Sequence, residues 1–144
     1  MVFCAILCIT ETWLQNSIPN SIICPPDYSI YRSDRADQRG GGVAILLKNS
    51  CFSNFQISTI DISINSVEIL ALCIRLKSFN LLQLCIYRPP TTTLDTDNSI
   101  IATLSELIPQ YSQVIITGDF NLPNLNMAQF TIIPIVQNFF ITTY

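Results

Sequence analysis

The sequence predicts a layered α/β sandwich, on three observations. Several strand-like runs are apolar on both faces instead of alternating: "VFCAILCI" at 2–9, "EILALCI" at 68–74 and "LLQLCIY" at 81–87. A strand with no polar face must be covered on both sides. One segment of helical spacing stands between two strand-like runs, as a helix lying outside a sheet would. The composition is also greasy, 49% apolar and 12% charged, which two sheets packed face to face beneath outer helices would absorb.

The elements follow in order. Val2 to Thr10 is a β-branched and apolar run, and Tyr28 to Arg32 is a short strand. "GGGVAILLK" at 40–48 is a glycine turn feeding the second strand of a hairpin. Val67 to Leu76 and Leu81 to Tyr87 are two more strands, with "KSFN" as the hairpin turn between them. Ile100, Ile101, Leu104, Leu107 and Ile108 then recur at helical spacing within Asp97 to Tyr111. Asp97 or Ser99 suits the N-cap and Pro109 suits termination. The helix leads into a strand at 113–117, and beyond Pro123 the apolar pattern has no clear period.

The bulk numbers bound the function. A chain of 144 residues with no internal repeat or low-complexity linker reads as one domain, 1–144. No apolar run approaches the ~20 residues of a membrane-spanning helix. The start has no basic region and no small-residue cleavage site, and Glu11 follows at once. The expectation is an intracellular protein with no membrane partner. Cys4, Cys8, Cys24, Cys51, Cys73 and Cys85 form no C-x-x-C pair, and there is no histidine to complete a zinc site. They read as reduced cysteines, mostly in the core. A net charge of −3 argues against a general nucleic-acid binder. Locally, "YRSDRADQR" gathers Arg32, Arg35 and Arg39. It is either a solvated loop offset by Asp34 and Asp37 or a phosphate-contacting segment.

Chemistry-bearing motifs sit where strands end: "ITETWL" with Glu11, "RGGGVAILLK" with Gly40 to Gly42, "CIYRPP" with Tyr87 and Arg88, and "ITGDFNLP" with Asp119 and Asn121. Each has a plain structural alternative. Glu11 can cap a helix, Tyr87 can be a core tyrosine, and Asp119 and Asn121 can form a turn. The glycines lack a following G-K-[ST], and no helix start follows them, so they read as a surface hairpin turn, not a phosphate loop. Together, carboxylates, an amide and a phenol at neighbouring strand ends suit a hard cation with a phosphate, since Mg²⁺ takes one or two carboxylates plus substrate oxygens. If the chain stays extended, Asp119 and Asn121 share one side of it. The expectation is that Glu11, Tyr87, Asp119 and Asn121 converge on one cleft.

The order "TETWL", "R…GGGVAI", "YRPP", "GDFNLP" resembles the endonuclease/exonuclease/phosphatase superfamily, in particular the endonuclease domains of non-LTR retrotransposons, most strongly over 5–125. The resemblance implies an α/β DNase I-like four-layer sandwich, two packed β-sheets flanked by helices, here incomplete and truncated at both ends. It implies Mg²⁺-dependent phosphodiester cleavage of DNA, with Mn²⁺ as the substitute ion. In full-length relatives it implies a downstream reverse transcriptase domain. Carried over by position, Glu11 is the metal ligand and Tyr87 bonds the scissile phosphate. Asp119 orients or deprotonates the attacking water, and Asn121 holds a phosphate oxygen. Arg35, Arg39 and Arg88 are the candidate nucleic-acid contacts. The family pattern also has an asparagine strand before the glutamate and a Ser-Asp-His strand near its end, and this chain has no histidine. The expected activity is therefore weak or absent. Two other readings stay open: a catalytically dead remnant or binding module, and a phosphomonoesterase of the same superfamily.

Overall fold

The computed structural model describes residues 5–35 and 39–122, and the backbone of 139–143. The strands are β1 (Ile6–Thr10), β2 (Tyr28–Ser33), β3 (Val43–Lys48), β4 (Gln56–Ile60), β5 (Glu68–Arg75), β6 (Asn80–Tyr87), β7 (Gln113–Asp119) and β8 (Phe139–Thr143). The helices are α1 (Asn20–Ile23), α2 (Asn49–Phe52) and α3 (Leu94–Leu107), with a 3₁₀ turn at Ile108–Gln110. The strands form two sheets, in the orders β1-β3-β2 and β4-β5-β6-β7-β8. No helix among the described residues is long and apolar enough to cross a membrane.

The two-faced apolar strands sit where that pattern requires. In β5, Leu70, Leu72 and Ile74 face the other sheet and pack with Val43, Ile45 and Leu47 of β3. The alternate residues Ile69 and Ala71 face outward and pack with Leu82, Leu84, Ile86, Val114 and Ile116. Leu104 and Leu107 of α3 cover that outer cluster. The helix is the crossover between β6 and β7, which pair in parallel, as a parallel connection needs. β1 departs from the expectation for "VFCAILCI". Ile6 and Cys8 pack on the inter-sheet core, but Leu7 and Ile9 are 41% and 38% exposed, so only one face of this edge strand is covered.

Other boundaries moved for identifiable reasons. α3 starts at Leu94, not Asp97, because Thr93 caps it by accepting from the Thr96 amide. Asp95 and Asp97 then lie in its first turn, where they favour the helix dipole. Pro109 falls in the 3₁₀ turn that ends the helix. β4, "QISTI", has too few apolar residues to stand out, as suits an edge strand. The hairpin at "KSFN" is present, with Leu76 donating to the Phe79 carbonyl. Cys73 and Cys85 are buried and Cys8 and Cys24 half-buried, whereas Cys51 is exposed, so the core reading does not extend to it. Cys4 and Asp37 lie outside the described residues, as does most of the tail beyond Pro123, of which β8 pairs in parallel with β7.

Candidate active site

One row of side chains crosses three strands. Glu68 opens β5, Tyr87 ends β6 and Asp119 ends β7; Glu68 is opposite Tyr87 and Tyr87 opposite Asp119. By the period of two, all three project on the face toward the other sheet, the face that carries Leu70, Leu72 and Cys85. Glu11 approaches from that other sheet, and the Tyr87 hydroxyl donates to its Oε1.

Strict alternation would send Glu11 the wrong way, outward with Leu7 and Ile9. A bulge corrects this. β1 pairs with β3 as far as Thr10 and Val43, yet it is Thr12 that bonds the Gly42 carbonyl and Trp13 that bonds the Gly41 carbonyl. Glu11 is the extra residue, with φ +52°. A bulge re-aims a side chain, and a non-glycine residue held there stores strain of about 1–3 kcal/mol. Trp13 (φ +55°) and Asn121 (φ +44°) share this conformation, so backbone strain gathers around the cluster.

Burial is the main force holding the Tyr87 phenol pKa up, at about 12, followed by the hydrogen bond to Glu11; the Asp119 charge adds to this and Arg35 opposes it. At neutral pH Tyr87 is therefore a fixed donor. Arg35 lies 5.9 Å over its ring and its Nε donates to Glu68 Oε1. That carboxylate pushes the Arg35 pKa further up. The other Glu68 oxygen is buried with no hydrogen-bond partner. Asp119 Oδ1 accepts the Asn121 amide at 3.1 Å, and Asn121 Nδ2 donates to the Arg88 carbonyl at 3.0 Å. The two side chains are thus set by a turn instead of an extended strand.

The structure therefore brings Glu11, Tyr87, Asp119 and Asn121 into one neighbourhood and adds Glu68. That residue was accessible from the sequence: a two-residue loop within "KSFN" fixes the hairpin register and puts Glu68 opposite Tyr87. The arginines separate. Arg88, a candidate nucleic-acid contact in the sequence, is instead turned into the fold. It is 7% exposed, bidentate to Asp97 at 2.6 and 3.0 Å, and its Nη1 donates to the carbonyls of Pro89, Phe120 and Asn121. Arg35 is engaged by Glu68, and Arg32 pairs with Asp34 at 3.2 Å. Arg39 is exposed, 5.4 Å over the Trp13 ring. The glycine turn is not the surface feature expected either. Gly41 and Gly42 are buried, and a Cβ on Gly41 would lie 2.5 Å from the Arg35 guanidinium carbon. No helix follows them; β3 starts at Val43. A cavity of about 250 Å³ lined by Ser29, Asn49 and Phe52 opens at the far end of β2 and β3, away from this cluster.

No family model and no curated protein matches the sequence. Solved structures do. The endonuclease domain of TRAS1, a telomere-specific non-LTR retrotransposon, matches at 16% identity and TM-score 0.59, over 81% of this chain and 48% of that one. Truncated Caenorhabditis elegans TDP2 matches at 19% and TM-score 0.58, over 82% and 49%. D. rerio TDP2 complexed with single strand DNA product matches at 15% and TM-score 0.50, over 82% and 48%. The chain has the DNase I-like α/β fold of these structures and spans about half the length of the solved structures it matches.

Proposed function

We propose that this chain carries an incomplete, metal-assisted phosphodiesterase site of the DNA endonuclease kind, derived from a retrotransposon. The meeting of Glu11, Tyr87 and Asp119 from three strands of two sheets carries the reading. The neighbours named for an endonuclease and for a DNA product complex support it.

The donor set fits Mg²⁺ only in part. No group of three metal-ligating side chains occurs among the described residues, so protein alone would not cage the ion. Glu11 offers an exposed carboxylate, and the unpartnered Glu68 Oε2 offers a second negative oxygen in the same cluster. One or two carboxylates completed by water and phosphate oxygens is the usual Mg²⁺ arrangement. When bound, the ion would offset charge developing on the phosphate. Tyr87, kept protonated, would turn its hydroxyl from Glu11 to a phosphate oxygen. Asp119, anchored by the Asn121 amide, would accept a proton from the attacking water. Asn121, held by the Arg88 carbonyl, would place its remaining N–H toward the phosphate. Arg35 over Tyr87 would keep the phenol in place.

The chain has no histidine to stabilise the phosphate oxygens. Removing one preorganised donor lowers rate by roughly a hundredfold to a thousandfold, and groups that act as a unit lose most of the rate together. The expected result with supercoiled plasmid and Mg²⁺ is nicking at or near background, alongside measurable binding of a short DNA oligonucleotide with only a shallow salt dependence, since few cations are available to neutralise phosphates. Robust nicking abolished by Asp119→Ala would overturn the weak-activity reading. Absence of DNA binding would overturn the DNA reading.

A further inference from the structure

Trp13 is unused by the chemistry above, yet it is held in place beside it. We propose that its indole is a stacking platform for an unpaired nucleobase of the strand whose phosphate sits at Glu11, Tyr87 and Asp119; this rests on the DNA reading above. Four observations converge. The side chain of the chain's single tryptophan is left open, 54% exposed. It does not dangle: its backbone has φ +55° and its amide donates to the Gly41 carbonyl at 2.9 Å, a strained conformation of the kind found at functional sites. Its Nε1 lies 3.5 Å from Glu11 Oε2, which ties the ring to the carboxylate proposed to hold the cation. Gly40 backs the ring: a Cβ there would be 3.7 Å from the indole, so the turn lies against it.

Charge points to the same ligand. The chain is net negative, at −3, so a general cationic field cannot supply DNA affinity. Among the described residues Arg39 is the exposed guanidinium at this edge, and it lies 5.4 Å over the indole. An exposed aromatic ring in contact with a cation is the combination that binds single-stranded nucleic acid, once the guanidinium moves from over the ring to the backbone and leaves that face to a base. A paired base has both faces occupied by its stack, so the platform selects single-stranded, frayed or flipped positions.

The single tryptophan makes the test direct. Its fluorescence is followed as a short single-stranded DNA oligonucleotide is added, and again with an abasic oligonucleotide of equal length and charge; anisotropy of labelled copies reports binding. Quenching by the base-bearing strand and not by the abasic one is expected. Trp13→Ala should lower affinity for the base-bearing strand about fivefold to a hundredfold, the range of one base–aromatic stack, and leave abasic binding within about twofold. Trp13→Phe should retain most of the affinity. Binding of the base-bearing strand without quenching, or equal quenching by both strands, overturns the platform and leaves the DNA reading standing. No binding of either strand overturns both.

Discussion

Gly118→Ala is expected to abolish cooperative folding. Gly118 has φ +150°, and a Cβ built on it would lie 1.8 Å from the carbonyl oxygen of Ile86, 2.8 Å from its carbonyl carbon and 2.9 Å from its nitrogen. These are backbone atoms of the paired strand, so no side chain can turn aside to make room. Gly118 is opposite Ile86 in the parallel ladder, and both strands are central to their sheet. Relief requires β7 to part from β6, which breaks the ladder and uncovers the cluster under α3. A destabilisation above about 4 kcal/mol is expected, against a total of roughly 5–15 kcal/mol for a domain. Circular dichroism on heating should show no sharp transition for the variant. A sharp melt close to that of the parent would contradict the β6–β7 geometry and, with it, the placement of Asp119 one residue on.

Arg88→Ala is expected to have the next largest effect and to reach the site directly. The Arg88 guanidinium bridges the start of α3, through Asp97, and the turn that follows β7, through the carbonyls of Phe120 and Asn121. The Asp97 carboxylate is partly open to water, so that pair contributes little by itself. The larger loss is a buried cation's bonds to carbonyls left unsatisfied, roughly 2–4 kcal/mol in all. The Arg88 amide also donates to the Asp119 carbonyl at 2.9 Å. The variant should fold but melt lower, and DNA binding should fall with it because the turn loses the guanidinium that ties the Phe120 and Asn121 carbonyls to α3, although the Asn121 side chain keeps its bond to the backbone carbonyl of residue 88. Unchanged melting would show that the turn carrying Asn121 is fixed by something else.

How far the sequence reached can be judged from particular residues. Two-faced apolar runs gave away β5 and β6, since a strand must bury what it cannot leave wet, and the glycine turn before an apolar run gave away β3. Helical spacing gave away α3, but its first turn carries Leu94, which is exposed, so the pattern appeared to start late. β4 was missed because an edge strand needs few apolar residues. Glu11, Tyr87, Asp119 and Asn121 were visible as strand-end residues, and Glu68 was within reach of the hairpin register. What local pattern could not supply was direction. Glu11 turns inward because β1 carries one residue more than β3 at that point, a fact of pairing between distant segments. Arg88 looked like a free cation at a strand end because its partners, Asp97 and the turn at Phe120 and Asn121, come together only in the fold.

On the proposed reading, Glu11 holds a cation beside Tyr87 and Asp119. Affinity cleavage tests it most directly and at low protein concentration. Fe²⁺ replaces Mg²⁺, ascorbate and peroxide generate radicals at the bound ion, and mass spectrometry locates the backbone cuts. Cuts are expected to cluster near residues 11–12, 87–88 and 119–121, to be suppressed by excess Mg²⁺ and to be lost in Glu11→Gln. Cuts concentrated elsewhere, such as at Asp27 or Asp61, or a pattern unchanged by Glu11→Gln, would contradict it.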